Sequence, residues 1–300
     1  MTEPAATAEP PEAFRDVVDH WRPGPQVDED LFGAWPTRAL AAVLDAPAPA
    51  DALPPLWHEV YLRAAHRPSD LGADGHPLRD DLVPDLANRR RMFGGGRVAV
   101  TAPLRLGETV RRTSTVESVT IRHGRSGWLL LVTERHRFTV DGELRVTDER
   151  DIVYRLPQDV SRRPTYTAPR PTADADLGEP VLTYHPDERM LFQFSALTYN
   201  AHRIHYDFPF TTAVEGHPHL LVHGPLLALG GLEAARRTLG HPAVAVDYRL
   251  VAPAYCGDPV TFHVTPVDAD EVSVQAMQRG RCCLTMTAST AARRPTESEG

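Results

Sequence analysis

Between Pro225 and Gly240 the chain carries a helix that is apolar nearly all round. Pro225 sits where a first helical residue belongs and Gly240 just past the end. Arg236 and Arg237 occupy the last turn, where cations offset the helix dipole. Between them LLALGGLEAA has no polar stripe to turn to water, so the helix must be buried on most sides. Four β-rich runs follow it: AVAVDYRLVA, PVTFHVTPV, EVSVQAMQ and RCCLTMTAS. A long buried helix followed by four antiparallel strands is best satisfied by a curved sheet wrapped around that helix.

The first half of the chain has related grammar. Thr37 to Leu44 reads as a short helix, and LWHEVYLRAAH, after Leu53-Pro54-Pro55, as a second helical stretch. From Arg97 the pattern turns to strands: RVAVTAPLRL, ETVRRTSTVESVTI, GWLLLVTERHRFTV and ELRVTDERDIVYRL. Asp141-Gly142 between the last two is a strong hairpin signal. In the second half Arg189 to Phe194 reads as a strand ahead of a polar loop and the long helix. Pro103, Gly107, Glu108 and Val110 recur as Pro253, Gly257, Asp258 and Val260, 150 residues on. A shared P-x-x-x-G-[DE]-x-V turn at that offset suggests duplication, with convergence on a common turn as the alternative. The expected organisation is a tail over 1–12, a first unit over 13–157, a Pro/Thr/Asp-rich linker over 158–178, a second unit over 179–290 and a tail over 291–300.

Hydrophobic residues at 42% and charged residues at 24% suit an ordinary globular protein. The net charge of −8 argues against nucleic acid, which calls for a basic patch. Three cysteines, Cys256, Cys282 and Cys283, without a C-x-x-C, make a disulfide framework unexpected and fit a reducing cytoplasm. The N-terminus is acidic and Pro-rich, with neither the basic nor the apolar segment of a secretory signal. No stretch approaches the ~20 apolar residues of a membrane span.

The chemistry concentrates in FSALTYNAHRIHYDFPFTTAVEGHPHLLVHGP, residues 194–225 with their five histidines inside 22 residues. Three readings compete. His202-x-x-His205 could bind a metal with Asp207 or His223, although the H-E-x-x-H pattern is absent. The histidines could be structural, which suits His217 and His219. Or His205 could be an acid/base near its working range.

The segment resembles the signature of the MaoC-like hydratases and dehydratases: an acid, a gap, N-P-I-H and an Asp, then V-H-G opening a central helix. Here it reads Asn200-Ala-His202-Arg-Ile204-His205-Tyr-Asp207, then Val222-His223-Gly224-Pro225. The wording FSALTYNAHRIHYD with VHGPLLA is closer to the branch holding mesaconyl-C4-CoA hydratases and mitochondrial-type 3-hydroxyacyl thioester dehydratases. LPPLWHEVYL, LGADGHP, RRRMFGGGRV and GRSGWLLLVTERH resemble that branch too, so the likeness spans roughly residues 30 to 290.

The resemblance implies an α+β double hot-dog fold: two tandem units, each a helix wrapped by a curved antiparallel sheet, the N-terminal one degenerate. It implies a hydro-lyase acting on an enoyl or 3-hydroxyacyl thioester, carried on CoA or on the phosphopantetheine of an acyl carrier protein, without a metal or redox cofactor. His205 is then the general base in hydration and the acid in reverse. Backbone N–H groups around His223 and Gly224 polarise the thioester carbonyl. Asn200 stands where the signature has Asp; an amide takes no proton, so it can only hold water or substrate. Asp207 orients His205 or caps a helix, and His202 and His223 contact substrate. The first half is expected to bring no chemistry of its own and to shape the acyl or CoA tunnel: His58 reads as a core or rim histidine, and Arg97 and Arg125 as ordinary arginines. A cytoplasmic monomer, in which the tandem chain mimics a dimer, and a homodimer are both open. So are a thioesterase and a non-catalytic acyl-binding subunit.

Overall fold

In a computed structural model the chain is described over residues 9–78, 80, 82–87, 89–124, 127–156 and 177–291. Arg125, most of the expected linker, residues 1–8 of the first expected tail and 292–300 of the second lie outside the described residues. The elements are α1 (Glu12–His20), β1 (Gln26–Leu31), α2 (Ala34–Val43), β2 (Arg90–Val100), β3 (Thr109–Gly124), β4 (Gly127–Val140) and β5 (Glu143–Arg155). Then come β6 (Leu182–Tyr184), α3 (Glu188–Leu197), α4 (Phe208–Ala213), α5 (Gly224–Leu239), β7 (Ala245–Leu250), β8 (Val260–Pro266), β9 (Glu271–Gln278) and β10 (Arg281–Ser289). No helix among the described residues is long and apolar enough to cross a membrane.

The strands form one ten-stranded antiparallel sheet in the order β1-β3-β4-β5-β2-β7-β10-β9-β8-β6. That order is a palindrome. β2 pairs with β7 at the centre, with Val98 opposite Val246, and each half places a three-strand meander and then one short edge strand outward from there. Asp141 and Gly142 both have positive φ, 51° and 81°, as the tight turn between β4 and β5 requires.

The repeated turn occupies the same slot in both halves. Leu53 N–H donates to Leu104 O, and Val222 N–H to Ala254 O, both at 2.8 Å. Gly107 N–H donates to Phe32 O at 2.9 Å and Gly257 N–H to Pro186 O at 2.8 Å. Leu53 therefore stands where Val222 does, and Pro54-Pro55 where His223-Gly224 do. Beyond that point the halves diverge. α5 runs for 16 residues and is buried along most of its length. In that place the first half has a short 3-10 turn, Trp57–Val60, behind Leu56 at φ 65°.

This corrects the expectation of a helix over LWHEVYLRAAH. Its polar side chains serve a buried network instead. His58 Nε2 lies 3.1 Å from Asp148 Oδ2, and Arg150 pairs with Asp148 and with Glu59, each at 2.7 Å. Arg63 bonds Glu59 at 3.1 Å and donates from Nε to Thr198 O at 2.9 Å, at the end of α3. Burial raises the pKa of Asp148, but Arg150 and His58 overcome it and hold the carboxyl far below its usual range. Arg189–Phe194 is likewise no strand. Asp187 accepts Met190 N–H at 2.9 Å and caps α3, whose Leu191 and Phe194 face inward at helical spacing.

The glycines of RRRMFGGGRV lie where the two halves meet. Gly95 has φ 146°, and a Cβ there would lie 2.2 Å from Tyr248 O on β7. Gly95→Ala is expected to lose about 3 kcal/mol or more in denaturant unfolding, against little change for Gly33→Ala, where a Cβ meets nothing within 4 Å.

Candidate active site

α3 ends at Thr198, and the chain turns sharply through Asn200, whose N–H donates to Ser195 O at 2.8 Å. The amide oxygen of Asn200 accepts His202 N–H at 3.0 Å, an Asx turn that fixes the loop. A 3-10 turn over Arg203–His205 follows, and Leu221 N–H donates to Ile204 O at 3.0 Å.

His205 is buried, with Nδ1 2.8 Å from Leu221 O. A carbonyl only accepts, so the proton sits on Nδ1 and the lone pair is on Nε2. Burial lowers its pKa to about 4, and the Leu221 hydrogen bond opposes only part of that. The ring is therefore neutral near pH 7 and fit to receive a proton. It stacks on His223, with centroids 3.6 Å apart and planes at 18°.

His223 is the N-cap of α5, and its Nε2 lies 2.8 Å from Ser195 Oγ. Burial, with His205 beside it, holds its pKa well below 6.5. Gly224 opens the helix, and no described residue accepts its N–H. A Cβ at Gly224 would lie 2.3 Å from Leu250 Cδ1 and 3.1 Å from Phe93 Cδ1. Glycine thus lets β7 and β2 pack against the start of α5, and the free N–H adds to the positive end of the helix dipole.

His202 stands edge-on to His205, centroids 5.6 Å apart, and against His76 at 3.9 Å. His76 comes from the first half, on the tight loop closed by the Leu71–Pro77 bridge. Its Nδ1 lies 3.0 Å from Asp74 Oδ2. Gly75, φ 90°, presses on the backbone of Ala201, and Arg203 N–H donates to Asp74 O at 2.8 Å.

The structure thus brings His205, His202, His223 and Gly224 together. It separates Asp207, which caps α4 by accepting Phe210 N–H at 3.0 Å and pairs with Arg203 at 2.7 Å. Leu221 O, not Asp207, orients His205. Asn200 borders the site, with its oxygen used by the turn. His217 bonds the Tyr255 hydroxyl at 3.3 Å and His219 packs on Phe208. Asp74, His76 and Ser195 were missed. LGADGHP was visible as a motif, but only the tertiary contact across the two halves gives it a place.

The sequence pattern of the hydroxyacyl-thioester dehydratase type 2 family matches residues 56–256. The chain belongs to that family. It is 39% identical over 255 residues to a mesaconyl-C(4)-CoA hydratase of Chloroflexus aurantiacus, covering 84% of this chain and 89% of the relative. The mitochondrial hydroxyacyl-thioester dehydratase type 2 of Schizosaccharomyces pombe is 23% identical, over 79% of this chain and 89% of its own. The fold matches HtdX of Mycobacterium tuberculosis with a TM-score of 0.63 at 15% identity, over 88% of this chain and 99% of that one. It matches a MaoC-like dehydratase of Phytophthora capsici with 0.62 at 12%, over 93% and 99%. The double hot-dog fold expected of the family is the one observed, with the helix of the first unit lost.

The buried histidines carry a pH signature. His205 titrates near 4 when folded, against 6.5 when exposed, so the unfolded chain binds the extra proton between those values. Stability is full above pH 6.5 and falls as pH drops toward 4, by about 3 kcal/mol at most for His205 alone. His202 and His223 shift in the same direction. Melting temperature is expected to drop steadily from pH 7 to pH 5, less steeply in His205→Gln. An equal slope in both proteins would show that His205 takes no part.

Proposed function

We propose that the chain adds water reversibly to the double bond of a short enoyl-CoA, with His205 as the group that moves the proton. The carrying observation is the fixed tautomer: Nδ1 is bound to Leu221 O, and the Nε2 lone pair is held neutral by burial. Nε2 takes a proton from water as the water oxygen bonds to the β-carbon. The π electrons shift through the α-carbon to the thioester oxygen, giving an enolate that Gly224 N–H at the start of α5 stabilises. The enolate collapses as His205 returns the proton to the α-carbon. One water is consumed and the imidazole ends neutral. With Asn200 in the acid position, one ring serves both proton transfers.

The relative acting on mesaconyl-C(4)-CoA supports a short branched acyl group with a free carboxylate as substrate. A carrier-protein thioester is the second choice. The steps above use only side chains and backbone, so the reading includes no redox or metal cofactor. It places the protein in the cytoplasm and treats residues 13–157 as the supporting unit and 179–290 as the catalytic one. The test is incubation with mesaconyl-C4-CoA and crotonyl-CoA. Loss of the conjugated thioester absorbance without free thiol is expected. Release of thiol would mean a thioesterase, and no change with either substrate would leave a binding subunit.

A further inference from the structure

α3 delivers the chain to the candidate site, and its C-terminus is closed under strain. Tyr199 N–H donates to Ala196 O at 3.3 Å and Asn200 N–H to Ser195 O at 2.8 Å. This pair of bonds ends a helix when the residue after the cap turns left-handed, a position that glycine usually takes. Here it is Tyr199, at φ 50°. A side chain is strained there, and such a residue persists where its surroundings hold it.

Ser195 links this turn to the chemistry. Its carbonyl holds Asn200, the start of the loop that carries His202 and His205. Its hydroxyl lies 2.8 Å from Nε2 of His223, the ring on which His205 stacks. If the end of α3 unwinds, His223 and the loop of His205 lose a support together.

The last carbonyls of a helix have no partner within it. One of them, Thr198 O, is met from the first half of the chain, where Arg63 Nε donates to it at 2.9 Å. Thr198 is buried, so the bond is shielded from water, and a cation suits the negative end of the helix dipole. Arg63 is itself fixed. Its Nη1 donates to Glu59 at 3.1 Å, Glu59 pairs with Arg150, Arg150 with Asp148, and Asp148 with His58. Charges alternate from Arg63 to Asp148, and Asp148 and Arg150 are rooted in β5. A buried series of this kind resists the displacement of any member, because each shift strands a neighbouring charge.

We infer that Arg63 is a positioning residue for the hydration site: it clamps the strained end of α3 and, through Ser195 and Asn200, keeps His223 and the His202–His205 loop in place. This role rests on the reading of His205 as the group that moves the proton. It gives the degenerate half a part in the rate, exerted without touching substrate.

Arg63→Met tests it in the full chain. The stem is kept, and Glu59 retains Arg150, so no carboxylate is left bare. Per folded molecule, kcat for enoyl-CoA hydration is expected to fall about 10- to 100-fold, the cost of a small displacement of reacting groups, with KM within about threefold of native. Arg63→Lys, whose ammonium restores the charge and the donors, should recover most of that loss. Amide hydrogen exchange reads the turn directly. In Arg63→Met the Asn200 N–H should exchange about 10- to 100-fold faster relative to that of Val274 within β9, the range for a hydrogen bond to a charged group. An unchanged kcat in Arg63→Met would overturn the proposal. So would equal losses in Arg63→Met and Arg63→Lys, or an equal acceleration of the Asn200 and Val274 amides, which is what general destabilisation produces. A native protein that hydrates no enoyl-CoA would instead defeat the reading of the site, and exchange at Asn200 would still show whether Arg63 holds the turn.

Discussion

His205→Ala is expected to lower kcat about a thousandfold, within the range of ~10²–10⁴ that a positioned acid/base supplies. The reason is that Asn200, Asp207 and His223 cannot take its place. Asn200 cannot accept a proton, and its oxygen is bound to His202 N–H. The carboxylate of Asp207 is held by Arg203 and by the first turn of α4. His223 has its Nε2 on Ser195 and is packed beneath His205. Removing the imidazole takes away the base that Leu221 O holds in place, while Gly224 N–H still polarises the thioester. KM should therefore move by only a few-fold. Asp207→Asn should keep most of the rate, because it alters a helix cap and an ion pair away from the reacting atoms. The measurement is steady-state hydration of the enoyl thioester by the three proteins. A loss below tenfold in His205→Ala would place the base elsewhere.

The second large effect is expected from Gly75→Ala, at a residue that touches no substrate. Gly75 has φ 90°, where an L side chain is strained by ~1–3 kcal/mol. Its new Cβ would lie 1.9 Å from Ala201 O, a backbone atom that no side-chain rotation can move aside. The loop of Asp74 and His76 must then lift from the loop of His202 and His205, breaking the Arg203 N–H to Asp74 O bond. Misplacing catalytic groups by about 1 Å costs on the order of a hundredfold in rate. We expect kcat/KM to fall by about that factor, with ~3 kcal/mol lost in denaturant unfolding. An unchanged kcat/KM would mean that the two loops work independently.

Much of the fold was legible because its signals are local. The second meander alternates with period two, and β9 matches EVSVQAMQ residue for residue. Asp141-Gly142 marked its hairpin, and Pro225 with Gly240 bounded the buried helix. The errors share a cause. RMLFQF alternates well enough to read as a strand, but the Asp187 cap and the inward Leu191 and Phe194 make it helical. LWHEVYLRAAH has a helix-like pattern, yet His58, Glu59 and Arg63 satisfy buried charges on β5 and the end of α3. In the candidate site, the motif around His205 was legible as a loop before a helix. The place of Asp207 was not, because a cap and an orienting carboxylate look alike in sequence. His76 lies more than 100 residues from His202, and only the contact of its loop with the Ala201–Arg203 loop brings it to the second half.

Turnover of mesaconyl-C4-CoA in ¹⁸O-water, followed by mass spectrometry of the acyl product, tests the central claim most directly. One heavy oxygen on the β-carbon, with the thioester intact, is the result expected of a hydratase using His205 as base. Heavy oxygen in a free carboxylate, with CoA released, would contradict it.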